Sequence, residues 1–359
     1  MSSKHENRQS DWQFYLSPAE AWEAMLDACR RAQKSIIMEQ YIFENDDIGQ
    51  KFFRVFIDRT KQGVDVKLMF DKVGSSSFRF SSLCEQLEKS GCRLLFYNSP
   101  RLIDIFKPQR FFPRTHIKAL VVDRSVLFIG GVCIAQRMEK WRDTNIRIEG
   151  PVVKTAANAL MHNRKRQAPK RQPKPAARKQ FAYIQSDPRF FNHPIYRADL
   201  EAIGNAKKFI YISQAYFVPP RRLRRFLVRA ARRGVEIIIL VPEYSDVPIA
   251  DWAFLSNARK MLRAGMRLYQ YQPTMLHNKI MMVDGNWGMV GSSNMDPLSF
   301  FHNREANIIV RDKQVLERMK NDFLDDLKKS KKLTSERVKK IPLWKRAAAR
   351  LARFLRPFL

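Results

Sequence analysis

Two of the chain's six histidines head nearly identical stretches, HIKALVVDRSVLFIGGVC at 116–133 and HNKIMMVDGNWGMVGSSN at 277–294. In each, a lysine follows at the second position and an aspartate at the seventh. Residues i and i+2 of an extended strand share a face, so His116 lies beside Lys118 and His277 beside Lys279. An ammonium disfavours a proton on its neighbouring imidazole, and burying it without a partner is costly. The pairing is useful where an anion comes between the two. The lysine then neutralises a phosphate oxygen, and the neutral imidazole can attack phosphorus. With the glycine fourteen places after each histidine included, composition alone gives about 0.004 expected occurrences of such a set, and this chain has two.

The repetition extends beyond these stretches. AQKSIIMEQYIF (32–43) matches AKKFIYISQAYF (206–217), QGVDVKLMFD (62–71) matches RGVEIIILVP (233–242), and RDTNIRI (142–148) matches REANIIV (304–310). The four blocks recur in one order at near-constant spacing, which marks an internal duplication. Each half should carry a helix such as 18–33, a short apolar strand, and a second helix near 48–62 or 221–233. Gly63 and Gly234 should end those second helices. Alternating helix and strand predicts an α/β layered fold with largely parallel, buried strands. The His-Lys blocks read as strands ending in a Gly turn, and VEIIIL (235–240) reads as a buried strand.

Lys and Arg number 66 against 35 Asp and Glu, a formal charge of +31. That is far above the roughly 2–8 that solubility asks of a small domain. It predicts a polyanionic partner, either nucleic acid or an anionic membrane surface. The four cysteines form no CxxC pair, which argues against zinc ribbons and thioredoxin-like sites. Cys84 and Cys92 are expected to be reduced core residues. The polar N-terminus MSSKHENRQSDW resembles no signal peptide, and no apolar run approaches the ~20 residues of a membrane span. The expected location is cytoplasmic.

H-x-K-x4-D-x6-G-S-x-N, present twice, resembles the phospholipase D superfamily. The second copy is complete as His277, Lys279, Asp284, Gly291, Ser292 and Asn294. The first has His116, Lys118, Asp123 and Gly130, with Gly131 and Cys133 in place of Ser and Asn. EQYIFENDDIG (39–49), the paired glycines and DTNIRIEGP (143–151) are similar to bacterial cardiolipin synthases, here without transmembrane anchors. The resemblance covers about residues 15–330. It implies two similar α/β/α layered halves with one active site at their interface. It implies a phosphohistidine mechanism, with His116 as nucleophile and His277 as acid/base. Lys118, Lys279 and Asn294 would hold phosphate oxygens. Asp143 and Glu305 would orient the imidazoles, with Ser292 in the same phosphate-binding or orienting set. Asp123 and Asp284 belong to the catalytic signature, although bonding to backbone around the motif turn suits them better than chemistry. The resemblance implies no metal or other cofactor, since lysines supply the positive charge.

The expected organisation is a first half over 1–162, a basic Pro-rich linker or loop over 163–180, a second half over 181–335, and a basic amphipathic helix over 336–359. In that tail, IPLWKRAAARLARFLRPFL (341–359) sets Trp, Leu and Phe opposite Lys and Arg. This suits a helix lying in an anionic membrane interface, so peripheral attachment to the inner membrane is expected. PRLIDIFKPQRFFPRT (100–115) alternates apolar residues with bases, among them Arg101, Lys107, Arg110 and Arg114. It could admit an acyl chain or stack on single-stranded nucleic acid. The expected activity is a cardiolipin synthase-like phosphatidyltransferase. Its donor would be phosphatidylglycerol or phosphatidylethanolamine, and its acceptor phosphatidylglycerol. A phospholipase D hydrolase and a metal-independent nuclease of the same superfamily are the alternatives.

Overall fold

The computed structural model describes residues 11–97, 113–162, 179–190 and 193–339. The basic segment 163–178, the tail beyond 339 and most of the 100–115 stretch lie outside these residues.

One sheet comprises β1 (Trp12–Tyr15), β2 (Ser35–Gln40), β3 (Asp65–Asp71), β4 (Arg93–Tyr97), β5 (Ala119–Val122), β6 (Val126–Gly130) and β7 (Asn145–Glu149). Their order is β1-β7-β6-β5-β2-β3-β4. The other comprises β8 (Phe181–Ser186), β9 (Phe209–Gln214), β10 (Glu236–Pro242), β11 (Arg267–Tyr271), β12 (Lys279–Val283), β13 (Trp287–Gly291), β14 (Glu305–Val310) and β15 (Ser330–Lys332). Its order, β15-β11-β10-β9-β12-β13-β14-β8, repeats the first sheet strand for strand with β15 added at one edge. The sequence duplication is therefore a duplication of topology.

The strands are not largely parallel, as helix–strand alternation suggested. Only β2-β3-β4 and β9-β10-β11 pair in parallel. The remaining neighbours are antiparallel, including the motif hairpins β5-β6 and β12-β13. The cause is local. Asp123 and Arg124 (φ 51° and 58°), and Asp284 and Gly285 (φ 55° and 71°), are left-handed pairs at the hairpin tips. Two consecutive positive φ values form the tight turn that matches strand twist, and Asp-Gly is a favoured pair for it. The connections, Asp123–Ser125 and Asp284–Asn286, are three residues long, and so short a link can join only antiparallel strands.

Helices Pro18–Arg30 and Asp47–Lys61 cover the outer face of the first sheet. Ser17 and Asp46 cap their N-termini by accepting from Glu20 N and Gly49 N, which satisfies otherwise orphaned donors. Ile48, Phe52, Phe53 and Phe56 place one face of the second helix in the core. Truncating fully buried Phe56 to alanine would cost about 3–5 kcal/mol. Helices Pro194–Asn205, Arg221–Arg232 and Pro248–Arg263 cover the outer face of the second sheet. Between the sheets a shared core takes Val153, Ala156 and Leu160 from helix Pro151–His162. It takes Val315, Met319 and Phe323 from helix Lys313–Lys328. β6 lies against β13 and β14 in this middle layer, so the two halves pack through one apolar body. Gly63 and Gly234 follow their helices with φ of 85° and 89°, as expected. The four cysteines are buried and free.

Candidate active site

Each motif histidine lies just before its strand, on a segment that pairs with the opposite half. Thr115 bridges Arg304, and Leu276 bridges Arg142. His116 N donates to Arg304 O at 2.9 Å, and Arg304 N donates to Arg114 O at 2.8 Å. In the mirrored arrangement, His277 N donates to Arg142 O at 2.8 Å and Arg142 N to Met275 O at 2.9 Å. The residue after each of these arginines is an acid, and the pairing carries it across the interface. His116 Nδ1 lies 2.9 Å from Glu305 Oε1, and His277 Nδ1 lies 2.6 Å from Asp143 Oδ2. Each imidazole is thus oriented by a carboxylate of the other half. That contact fixes which ring nitrogen faces the cavity.

Lys118 and Lys279 are buried beside their histidines, each donating to the histidine's own carbonyl, at 2.9 Å and 2.6 Å. Burial lowers the proton affinity of His116 well below the ordinary range, with Lys118 and Lys279 adding to it. His277 is lowered by the same causes, but Asp143 opposes them. Burial also brings Lys279 down to about 8, against the attraction of Asp143. It pushes the Glu305 carboxyl up to about 8, against Lys118 and hydrogen bonds from Ser292 and Ser299. For His277, Lys279 and Glu305, desolvation by burial outweighs the attraction of the opposite charges nearby.

Ser292 supports Glu305 directly. Its hydroxyl donates to Glu305 Oε2 at 2.5 Å and accepts from Ala306 N at 3.0 Å. The counterpart Gly131 has no side chain because Asp143 occupies the space. A Cβ at 131 would stand 2.1 Å from Asp143 Oδ1. Asn294 and Cys133 both line the cavity, and burial raises the Cys133 thiol, which keeps it neutral.

The histidines, Lys118, Cys133 and Asn294 open on one cavity of about 300 Å³. Tyr41 stands edge-on to His116 at 4.8 Å, and Trp141 tilts over His277 at 5.2 Å. A space lined by two imidazoles, the Lys118 ammonium and an amide can hold a phosphodiester and displace one of its alcohols.

Asp123 and Asp284 are not brought to this site. Asp123 accepts from the backbone N–H of Gln33, Lys34 and Ser35 at 2.7–2.9 Å. Asp284 does the same with Lys207, Lys208 and Phe209, also at 2.7–2.9 Å. They pin the motif hairpin to the loop entering the neighbouring strand. Left-handed φ and three N–H donors explain an aspartate there without chemistry. Arg114, read as a cation of the 100–115 lip, is instead buried, 3.5 Å from Asp71.

The interface arginines were missed in the sequence. Arg142 pairs with Asp326 at 2.8 Å and Arg304 with Glu39 at 3.1 Å, each crossing between halves. Asn278 joins the first of these through Arg142 and Thr144. The available signal was the arginine before the acid in both RDTN and REAN.

Two pseudo-symmetric halves that share one histidine–lysine cavity define a phosphodiester-transfer enzyme of the phospholipase D type. The profile described as "Cardiolipin synthase, PLD-like domain" matches residues 25–164 and 200–327. Cardiolipin synthase 1 of Staphylococcus epidermidis is 31% identical over 355 residues, covering 94% of this chain and 72% of that protein. A cardiolipin synthase of Staphylococcus aureus is 29% identical over 379 residues, covering 98% and 74%. The fold is shared with phosphatidylserine synthase of Haemophilus influenzae, with a TM-score of 0.73 at 15% identity over 97% of this chain and 95% of that one. It is also shared with polyphosphate kinase of Porphyromonas gingivalis, with a TM-score of 0.63 at 14% identity over 97% and 53%. The chain belongs to the cardiolipin synthase family of phospholipase D-like proteins.

Proposed function

We propose that this chain moves a phosphatidyl group, through a phosphohistidine on His116, to the free terminal hydroxyl of phosphatidylglycerol. Its family makes it a phosphatidyltransferase of the phospholipase D superfamily, of cardiolipin synthase type. The observation that carries the residue roles is the crossed pairing of both histidines with acids of the opposite half, over one cavity.

In the first step His116 Nε2 attacks phosphorus, the bond from phosphorus to the donor's headgroup oxygen breaks, and His277 gives that oxygen its proton. In the second, the acceptor hydroxyl returns a proton to His277 as its oxygen bonds phosphorus and the phosphorus–nitrogen bond breaks. Lys118, Lys279 and Asn294 hold the non-bridging oxygens. The stronger lowering of His116 favours a neutral nucleophile there, and Asp143 favours a proton-carrying His277.

Among the described residues, no helix is long and apolar enough to cross a membrane. The helix Arg221–Arg232 exposes Arg221, Arg222, Arg225, Arg229 and Arg232 along one stripe. That stripe suits anionic headgroups at about 1 kcal/mol per base near the surface. It supports peripheral attachment independently of the tail.

The test is turnover of labelled phosphatidylglycerol in vesicles, beside His116→Ala and His277→Ala. Labelled cardiolipin from wild type and from neither variant is expected. Phosphatidic acid alone would make the chain a hydrolase. No lipid product, with single-stranded DNA cleaved and that cleavage lost in both variants, would make it a nuclease.

A further inference from the structure

Among the described residues three large apolar side chains are exposed, Val73 at 46%, Phe80 at 78% and Tyr244 at 77%. A lone exposed apolar residue is ordinary on a protein surface, but these three are not scattered. Val73 follows the end of β3 by two residues, and Tyr244 follows the end of β10 by two. β3 and β10 are counterparts in the duplicated sheets, so each half exposes an apolar side chain at the same position. Phe80 directly follows the short helix Ser76–Arg79 of the first loop.

Both loops border the histidine cavity. Asp71 accepts from Val73 N and Gly74 N at 3.0 Å and from Thr115 N at 3.1 Å, which ties the first loop to the residue before His116. Gly74 packs so closely on Tyr41 that a Cβ there would stand 2.3 Å from the Tyr41 carbonyl oxygen, and Ser75 Oγ donates to that oxygen at 3.1 Å. Tyr41 is part of the cavity wall. In the second loop Asp246 and Val247, just after Tyr244, line the cavity, and Tyr216 donates its hydroxyl to Asp246 at 2.5 Å. Val73 and Tyr244 therefore flank one cavity from opposite halves.

Basic groups accompany them. Arg79 lies over the rings of Phe80 and Phe96, at 4.8 Å and 5.7 Å. Burial, with Arg79 nearby, lowers the proton affinity of Lys72, so two cations stand beside Val73. On the other side Val218 of the cavity wall leads through two prolines into the exposed Arg221 and Arg222. Glu243, the neighbour of Tyr244, is neutralised by Arg337 at 2.6 Å. Apolar and aromatic side chains interleaved with bases fit an anionic bilayer, where the bases meet phosphates and the rings pass below them.

We infer that the rim of the cavity is itself the membrane-docking face, with Val73, Phe80 and Tyr244 entering the acyl layer of an anionic phospholipid bilayer on both sides of the cavity. This rests on the phosphatidyltransferase reading. It goes beyond the arginine stripe, which brings the chain to the surface but inserts nothing into it. With the rim seated, a phospholipid presents its phosphorus to His116 while its acyl chains stay in the bilayer. Lifting the whole lipid out would expose every buried methylene to water.

The four native cysteines are buried, so Phe80→Cys and Tyr244→Cys each take an environment-sensitive fluorophore selectively. Gln62→Cys, exposed at the opposite end of β3 and about 20 Å away, is the reference. With the full chain bound to vesicles of phosphatidylglycerol and phosphatidylcholine, nitroxides on the acyl chains should quench the label at 80 and 244 about threefold more than at 62. Equal quenching at the three positions, quenching at 62 alone, or no binding would overturn the rim assignment. A label at 80 or 244 that responds to protein concentration before vesicles are added would give the rim to a second copy of the chain and overturn it too. Phe80→Ser together with Tyr244→Ser should lower turnover of vesicle phosphatidylglycerol about tenfold and leave turnover of its water-soluble dihexanoyl form within about twofold. Equal loss with both forms would contradict a docking role. Wild type that makes no lipid product from either form would instead overturn the transferase reading, while the quenching pattern still decides which face meets the bilayer.

Discussion

The corner that orients His116 and the corner that orients His277 do the same task with different parts. In the second half a long acid, Glu305, is held by Ser292, and the turn beneath is stitched by Asn307, whose Oδ1 accepts from Ser292 N at 3.1 Å and Ser293 N at 3.2 Å. In the first half a short acid, Asp143, lies over Gly131 and accepts from Thr144 N at 2.7 Å. There Asn145, the counterpart of Asn307, is buried with no partner for its side chain among the described residues. The lesson is that acid length and the residue directly after the end of β6 or β13 are one choice. Serine fits with glutamate, and glycine with aspartate. Gly131 is therefore part of the same geometry rather than a defect of the first motif.

The largest expected effect comes from breaking both corners at their carboxylates. Asp143→Asn and Glu305→Gln should each lower kcat by on the order of 10³-fold, since a wrong tautomer removes the working ring nitrogen. Steady-state turnover at saturating lipid checks this, and a Glu305→Gln enzyme that is slowed only through KM would contradict it.

The Gly131–Asp143 coupling should come next. Gly131→Ser forces Asp143 aside and should cost about 10²-fold in kcat, while Ser292→Gly, which opens space, should cost about tenfold. Adding Asp143→Glu to Gly131→Ser should recover part of the loss. A double-mutant cycle with additive effects would break the comparison.

The pH profile sharpens it further. Below about 8 Glu305 holds a proton and meets His116 only as a neutral acid, a weaker acceptor, and above about 8 Lys279 loses its charge. The kcat/KM profile should be a narrow bell centred near 8. Glu305→Gln should remove its acid limb and Lys279→Arg should move its alkaline limb upward.

The smallest effect belongs to the hairpin aspartates. Asp123→Asn and Asp284→Asn should lower stability by about 1–2 kcal/mol each, from weakened charged hydrogen bonds, with kcat within about twofold of wild type at low temperature. Burial would raise the Asp123 carboxyl, but three backbone N–H groups outweigh it and hold it below the ordinary 3.8. A depressed folded value stabilises above the unfolded pKa and is lost as pH falls through the folded one. The stability gap between wild type and Asp123→Asn should therefore close as pH drops below about 4.

Much of this was legible in the chain. His-Lys spacing is a property of a single strand, so it reads directly from sequence, and the duplicated blocks specify two matching sheets. The crossing of Asp143 to His277 and Glu305 to His116 is a long-range pairing that no local spacing encodes. The antiparallel hairpins carry a turn signal in Asp284-Gly285, whereas helix–strand alternation holds only for the parallel strands β2-β3-β4 and β9-β10-β11. The motif aspartates could be seen to have backbone work, yet their partners lie before the neighbouring strands, not in the motif turn. Gly131 looked like a departure from the second motif because its reason, the carboxylate above it, is visible only in three dimensions.

The central claim is that the two corners divide the chemistry, with His116 attacking and His277 handling the proton. Rapid acid-free quenching of enzyme mixed with phosphatidylglycerol labelled at phosphorus would trap the covalent intermediate. The account predicts label on His277→Ala protein and none on His116→Ala protein. Label retained on His116→Ala would place the nucleophile in the other corner and contradict it.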